Sequence, residues 1–276
     1  MYIATTNCRW LLTIVLGGAL LAGCDGEPAQ QSGAPDEPTT VTHVVAETEP
    51  AKVTTVTEQP LPEVAPAIAA AVGSADRPAE DVARDADRRP AEVLAYFGVE
   101  PGDTVLELVA GGGYFTEILS RAVGSGGHVF ATRLAPERIA GGRLPNVTAI
   151  ADTSWGLAPD SVDLAFTALN YHDLINLKVD RAALLAGVLS VLKPGATFAV
   201  IDHAAAPDSG TRDVGTLHRV DEAVVVDEVT AAGFELIDTS TLLRNRDDDR
   251  SLPVFDPAIR GKTDQFILNF RKPAAS

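Results

Sequence analysis

The stretch VLELVAGGGYFTEIL, Val105–Leu119, decides how this chain is read. An apolar run carries Glu107, three consecutive glycines follow at Gly111, Gly112 and Gly113, and a helix-like run begins at Tyr114. Glycines at such a turn permit positive φ and let a ligand lie against bare backbone. The helix behind them aims unpaired N–H groups and the positive end of its dipole at whatever is bound. In open parallel sheets, ligands sit in this place, beyond the carboxyl ends of the strands.

Outward from the glycines, helix and strand patterns alternate. RRPAEVLAYFGV (88–99) reads as a helix entered through Pro90 and stopped by Gly98. The run after the glycines sets Phe115, Ile118, Leu119 and Ala122 on one helical face. DTVLELVA, GHVFATRL, NVTAIAD, SVDLAFTALN and ATFAVIDHA read as five strands. A helix in DRAALLAGVLSVLKPG closes at Pro194-Gly195, another lies in VDEAVVVDEVTAAGF, and ELIDTSTLL and DQFILNFR complete the strands. The expected fold class is α/β: a seven-stranded, mostly parallel sheet with one antiparallel strand and helices on both faces. The antiparallel strand is the last, because a loop at 244–262, and no helix, precedes it. Within that loop Asp247-Asp248-Asp249-Arg250 is expected to be solvated rather than to bind metal.

Before the folded part the composition changes twice. Arg9 precedes the apolar run LLTIVLGGALL (11–21), which is too short to span a bilayer and suits a signal-peptide core. From Asp25 to about Ala83 the chain is rich in Pro, Ala, Thr, Glu and Gln and has no sustained period. The expected organisation is a signal peptide over 1–23, a disordered tether over 24–83 (with a possible short helix in APAIAAAVGSA) and a folded domain over 84–276. The formal charge of −16 argues against nucleic acid as a partner. The only cysteines are Cys8 and Cys24, both in this N-terminal region, which leaves the folded domain without disulfides or thiolate chemistry.

Two resemblances follow from these residues. Leu21-Ala22-Gly23-Cys24 resembles the lipobox of bacterial lipoproteins. That likeness implies a lipid on Cys24 and, with Asp25 next to it, the periplasmic face of the inner membrane. Glu107 ahead of spaced glycines resembles the first motif of class I S-adenosylmethionine-dependent methyltransferases, and the likeness runs from Pro90 to Lys272 through ALNYHDL, LKPGATFAVID and GKTDQFILNFRKP. AGGGYFTEIL is most similar to a bacterial group of predicted methyltransferases, many with export signals.

The methyltransferase resemblance implies S-adenosylmethionine as cofactor and a small molecule as methyl acceptor. It implies cofactor contacts at Glu107, Gly111, Gly112, Gly113, Asp152 and Asn170. The chain departs from the pattern at Val109, where the family has its first glycine, and at Thr132-Arg133, where it has an acid for the ribose; Glu137 is the nearest substitute. A nicotinamide cofactor is disfavoured because Thr116 replaces the last glycine of G-x-G-x-x-G, and no Walker loop is present.

On the acceptor side, NYHD (170–173) and IDHA (201–204) end two neighbouring strands. His172 is a candidate general base with Asp173 as its orienter, and His203 a second catalytic candidate beside Asp202. Two histidines and two aspartates there also have the makings of a divalent-metal site, but the reading adopted has no metal. His218 is a third cleft candidate, whereas His128 and His43 are uninvolved. Tyr114 and Tyr171 either stack on ligand rings or pack. The alternative function is a non-catalytic binding module of the cell envelope, keeping the cleft without the reaction.

Overall fold

The computed structural model describes residues 61–152 and 155–274. The expected signal peptide, Cys24 and the part of the expected tether up to residue 60 lie outside the described residues. Seven strands form one sheet: β1 Thr104–Glu107, β2 His128–Thr132, β3 Val147–Ile150, β4 Val162–Ala168, β5 Leu192–His203, β6 Glu235–Ser240 and β7 Gln265–Arg271. Their order is β3-β2-β1-β4-β5-β7-β6. The first five run parallel, and β7 is antiparallel to both β5 and β6, so the last strand inserts between its predecessors as its loop connection predicts.

Among the described residues, eight α-helices accompany the sheet: α1 Pro66–Val72, α2 Ala79–Val82, α3 Asp85–Arg88, α4 Pro90–Tyr96, α5 Tyr114–Val123, α6 Tyr171–Asn176, α7 Arg181–Val191 and α8 Glu222–Ala231. Alternation along the strands sends side chains to two separate cores. In β1, Val105 joins α1, α4 and α5 through Ile68, Leu94 and Ile118, while Leu106 faces α7 and α8 through Val188 and Val225. Between β2 and β3 the connection is short: two 3-10 turns at Pro136–Arg138 and Ala140–Gly142.

Three expectations are corrected. The expected tether boundary at residue 83 falls inside folded structure, because Ile68 and Ala71 of α1 are fully buried against the core and Asp81 of α2 is buried as well. Pro66 opens α1 and a run of alanines sustains it, so this segment has an apolar face despite its bland composition. α7 ends at Val191, not at Pro194-Gly195, and Leu192 already pairs with Val162. The physical reason is Pro194, which offers no N–H and crowds the helical conformation of its predecessor.

The third correction concerns Asp247-Asp248-Asp249-Arg250. Asp248 is buried and takes both arms of the fully buried Arg219 guanidinium, at 2.8 and 3.1 Å. Arg219 also donates to the carbonyls of Ala204 and Leu252, and Asp248 accepts from the Asp264 amide. Residues 241–264 therefore form a strap fastened across the carboxyl edge of β5; Asp247 and Asp249 are exposed as expected, and Asp248 alone departs from the solvated reading.

Candidate functional site

The cleft opens at the carboxyl ends of β1, β4 and β5. It measures about 240 Å³, and its walls include Glu107, Gly111, Gly112, Asn170, His172 and His203. An ideal Cβ built on Gly111 or Gly112 meets nothing within 4 Å, so a ligand has room against that backbone. Gly113 is different. A Cβ there would come within 2.7 Å of Arg138 Cγ and 2.8 Å of Leu134 Cδ1. Gly113 is not among the residues lining the cleft; its bareness accommodates side chains from the β2–β3 connection, and its φ of 75° starts α5.

Glu107 is buried at the end of β1, and Thr116 Oγ1 on α5 donates to it at 2.5 Å. Burial pushes the Glu107 carboxyl up to about 7, against the opposing effects of Thr116 and the Arg138 charge. The threonine that breaks the dinucleotide pattern is therefore a structural partner of the acid nine residues before it. Arg138 completes this corner, donating to the Gly112 carbonyl at 2.8 Å while pairing with Asp81 and Glu117.

Val109 has φ 54°, a left-handed conformation that is costly for a β-branched residue. It is clamped from both sides: Thr132 Oγ1 accepts from its amide at 2.8 Å, and Asn170 Nδ2 donates to its carbonyl at 2.7 Å. The turn keeps the glycine-like geometry without the glycine, and strain held by its surroundings is a mark of functional sites. The Asn170 amide nitrogen is committed to this clamp and to the Ala168 carbonyl.

Beyond Val109 lies a second, more apolar cavity of about 290 Å³, bounded by Leu108, Thr132, Arg133, Asp152 and Trp155. Arg133 pairs with Asp152 at 2.8 Å, and Glu137 is exposed and lines neither cavity. The end of β2 thus carries Thr132 and Arg133, the latter paired with Asp152 from beyond β3. Trp155 donates to the Asp152 carbonyl and lies over Gly187 of α7.

The acceptor-side histidines converge. His172 lies in the first turn of α6, where Asp202 holds it twice, through Nδ1 at 2.8 Å and through the backbone amide at 2.7 Å. Its orienter is Asp202, in place of the expected Asp173. Burial works to lower the His172 pKa, but the Asp202 charge and hydrogen bond outweigh it and hold the imidazole above its ordinary value. His203 Nδ1 meets Thr263 Oγ1 at 2.7 Å, and burial pulls that ring down to about 4. The ring centroids of His203 and His218 stand 6.0 and 5.5 Å from that of His172. His128 is remote from this group and bonds Thr148.

Several cleft residues escaped the sequence reading. Arg84 and Arg88 reach the wall from the N-terminal helices, their guanidinium carbons 4.9 and 4.5 Å from the Tyr114 ring centroid. Burial lowers the Arg88 pKa to about 10. Only the basic run Arg88-Arg89 hinted at a role. Val254 and Phe255 of the strap close the opposite side. Tyr114 and Tyr171 are both buried and bonded, to Asp85 and Glu228.

No family model matches the chain. Among solved structures, the (4+2)-cyclase SpnF superposes with a TM-score of 0.51 at 18% identity, covering 69% of this chain and 82% of its own. A putative methyltransferase from Haloferax volcanii, solved with the Trm112 activator, gives 0.50 at 18% identity over 71% of this chain and 96% of its own. The fold is the Rossmann-like methyltransferase fold. An S-adenosylmethionine-dependent methyltransferase from Aquifex aeolicus has 23% identity over 65% of this chain and 87% of its own, with a TM-score of 0.48. At such identities the likeness concerns architecture alone, and SpnF carries a cyclase name on it.

Proposed function

We propose that this protein transfers the methyl group of S-adenosylmethionine to a small-molecule acceptor. The observation that carries the reading is a juxtaposition: open backbone at Gly111 and Gly112 and the buried acid Glu107 share one cleft with His172 and Asp173. An acid beside bare backbone suits a sulfonium-bearing amino acid better than a pyrophosphate, which it would repel. Arg84 and Arg88 supply positive charge to the same cleft for a carboxylate. The flat adenine would enter the apolar cavity beyond Val109, where Trp155 offers a ring and Asp152 an acceptor for the amine. Asn170 acts indirectly, by holding the turn.

When bound, the cofactor supplies an electrophilic methyl on a cationic sulfur. Methyl transfer needs in-line alignment above all, which rigid backbone at the glycines and the paired His172–Asp202 provide. His172 Nε2, freed by the Asp202 bond to Nδ1, is the group positioned to activate the acceptor. We also propose that a lipid on Cys24 anchors the chain at the periplasmic face of the inner membrane. Cys24→Ser should then move the protein from membrane to soluble fractions, and unchanged fractionation without incorporated fatty acid would refute the anchor.

One observation favours the binding module instead: Arg133 paired to Asp152 at the ribose corner, with no acid replacing the missing one. Calorimetric titration of the full chain with S-adenosylmethionine separates the two. Saturable binding supports the transferase. No heat at millimolar cofactor sinks it in favour of the module.

A further inference from the structure

Three side chains converge where the acceptor would enter. His172 Nε2 lies 3.5 Å from Asp173 Oδ1, and His218 Nδ1 lies 3.8 Å from that same oxygen. Both separations are too long for good hydrogen bonds. They approach the edge of a metal coordination shell: bonds of about 2.0–2.2 Å in a tetrahedron set neighbouring ligand atoms about 3.3–3.6 Å apart. One ligand atom from each of the three residues can be chosen so that all lie within 4.8 Å of one another.

We propose that His172, Asp173 and His218 bind a divalent first-row transition ion at the acceptor end of the cleft. The donor set carries the choice of metal. Two imidazoles and one carboxylate suit zinc, cobalt or iron, whereas magnesium and calcium prefer all-oxygen shells. The second shell is already built. Metal-bound histidines hand their other ring nitrogen to a carboxylate, and His172 Nδ1 sits 2.8 Å from the fully buried Asp202. The third ligand is also fixed: His218 precedes Arg219, whose guanidinium is locked to Asp248, and the His218 ring packs 4.9 Å from that of Phe255.

Three protein ligands leave a position open, as in catalytic rather than structural sites. His172 and Asp173 share the cleft wall with Gly111 and Gly112, so that position falls to the acceptor. The substrate consequence rests on the methyl-transfer reading: a metal there selects acceptors that present a hydroxyl or thiol, and His172 acts through the ion.

Cobalt(II) is the probe, added to the metal-stripped full chain and followed by its visible absorption, with zinc(II) measured by competition and calorimetry. The expected result is one ion per chain. His172→Ala and His218→Ala should abolish the cobalt spectrum, and Asp202→Asn should weaken binding roughly 10- to 100-fold through the second shell. His128→Ala, outside the cleft, should bind as the wild type does. Circular dichroism of each variant, with the milder His218→Gln as a second version, separates lost ligation from lost folding. The proposal is overturned by no binding at micromolar cobalt, or by a spectrum that survives both alanine variants. S-adenosylmethionine titrated into the same samples keeps the readings apart. Metal without cofactor binding would uphold this site and sink the transferase, and cofactor without metal binding would do the reverse.

Discussion

Asp202 grips His172 by ring and backbone together, accepting from Nδ1 with one carboxylate oxygen and from the main-chain amide with the other. The first of these oxygens also accepts from the His203 amide at 2.7 Å. One buried acid therefore fixes two histidines and the first turn of α6. In Asp202→Asn an amide N–H₂ must face one of these donors. The expected cost is about 1–3 kcal/mol for the unsatisfied group, read as a lower urea midpoint with unchanged slope. An unchanged midpoint would mean that the pair is not formed in solution.

Glu107 gives a pH signature of its own. With its folded value near 7 and an ordinary value of 4.5, the native state holds the extra proton between the two. The stabilising contribution is therefore complete below 4.5 and is lost as pH rises through about 7. Binding of a cationic cofactor runs the opposite way, because it needs the carboxylate. Cofactor affinity should strengthen from pH 6 to 8 in calorimetry, and Glu107→Gln should flatten that slope. The same variant should weaken binding at pH 8 by roughly tenfold to a hundredfold, the worth of a charge-assisted hydrogen bond of about 1.5–3 kcal/mol.

Neighbouring glycines should respond differently to one substitution. Gly112→Val adds a side chain in open space at a position without positive φ, so the melting temperature should hold while cofactor binding disappears. Gly113→Val drives a side chain into Leu134 and Arg138 at φ 75°, so stability itself should fall. Equal melting temperatures for the two variants would contradict this division of labour.

The N-terminal helices belong to the core. Ile68 is 1% exposed and packs in the cluster that holds Ile118 and Leu119. Ile68→Ala should cost about 2–5 kcal/mol, as other large-to-small core changes do. A chain beginning at residue 84 should lose at least as much, and cooperative melting at the full-length temperature would show α1 to be dispensable.

The strap depends on a pair with no water to fall back on. Arg219→Met should cost about 3–5 kcal/mol, because Asp248 is left buried without its cation. Adding Asp248→Asn, which removes the charge and keeps an acceptor for the Asp264 amide, should restore part of the loss. Thermal denaturation of the single and double variants measures the difference.

What could be read in advance followed the range of the interactions involved. β1 and β4 are apolar runs bounded by turn residues, and the long helix-free connection at 244–262 pointed to antiparallel β7; such features are local in the chain. The cleft-facing Gly111, Gly112, His172 and His203 sit at strand ends, so topology alone brings them together. Contacts between distant positions left no pattern. Thr116 meets Glu107 only once α5 folds back on β1, and Arg219 finds Asp248 across 29 residues. α1 was obscured for another reason: alanine and proline make up both tethers and helix starts, and burial alone distinguishes them.

The Arg219–Asp248 fastening also bears on how this cleft can change over generations. It lets residues 255–262 vary while the strap's ends stay pinned at Asp248, Arg250 and Asp264. Phe255, 58% exposed at the rim, and its neighbours can then be exchanged without disturbing the glycine turn on the far wall. Selection for a new acceptor would write its record in that short segment. Homologues that share the buried pair but differ around Phe255 should divide into groups by the molecule they take.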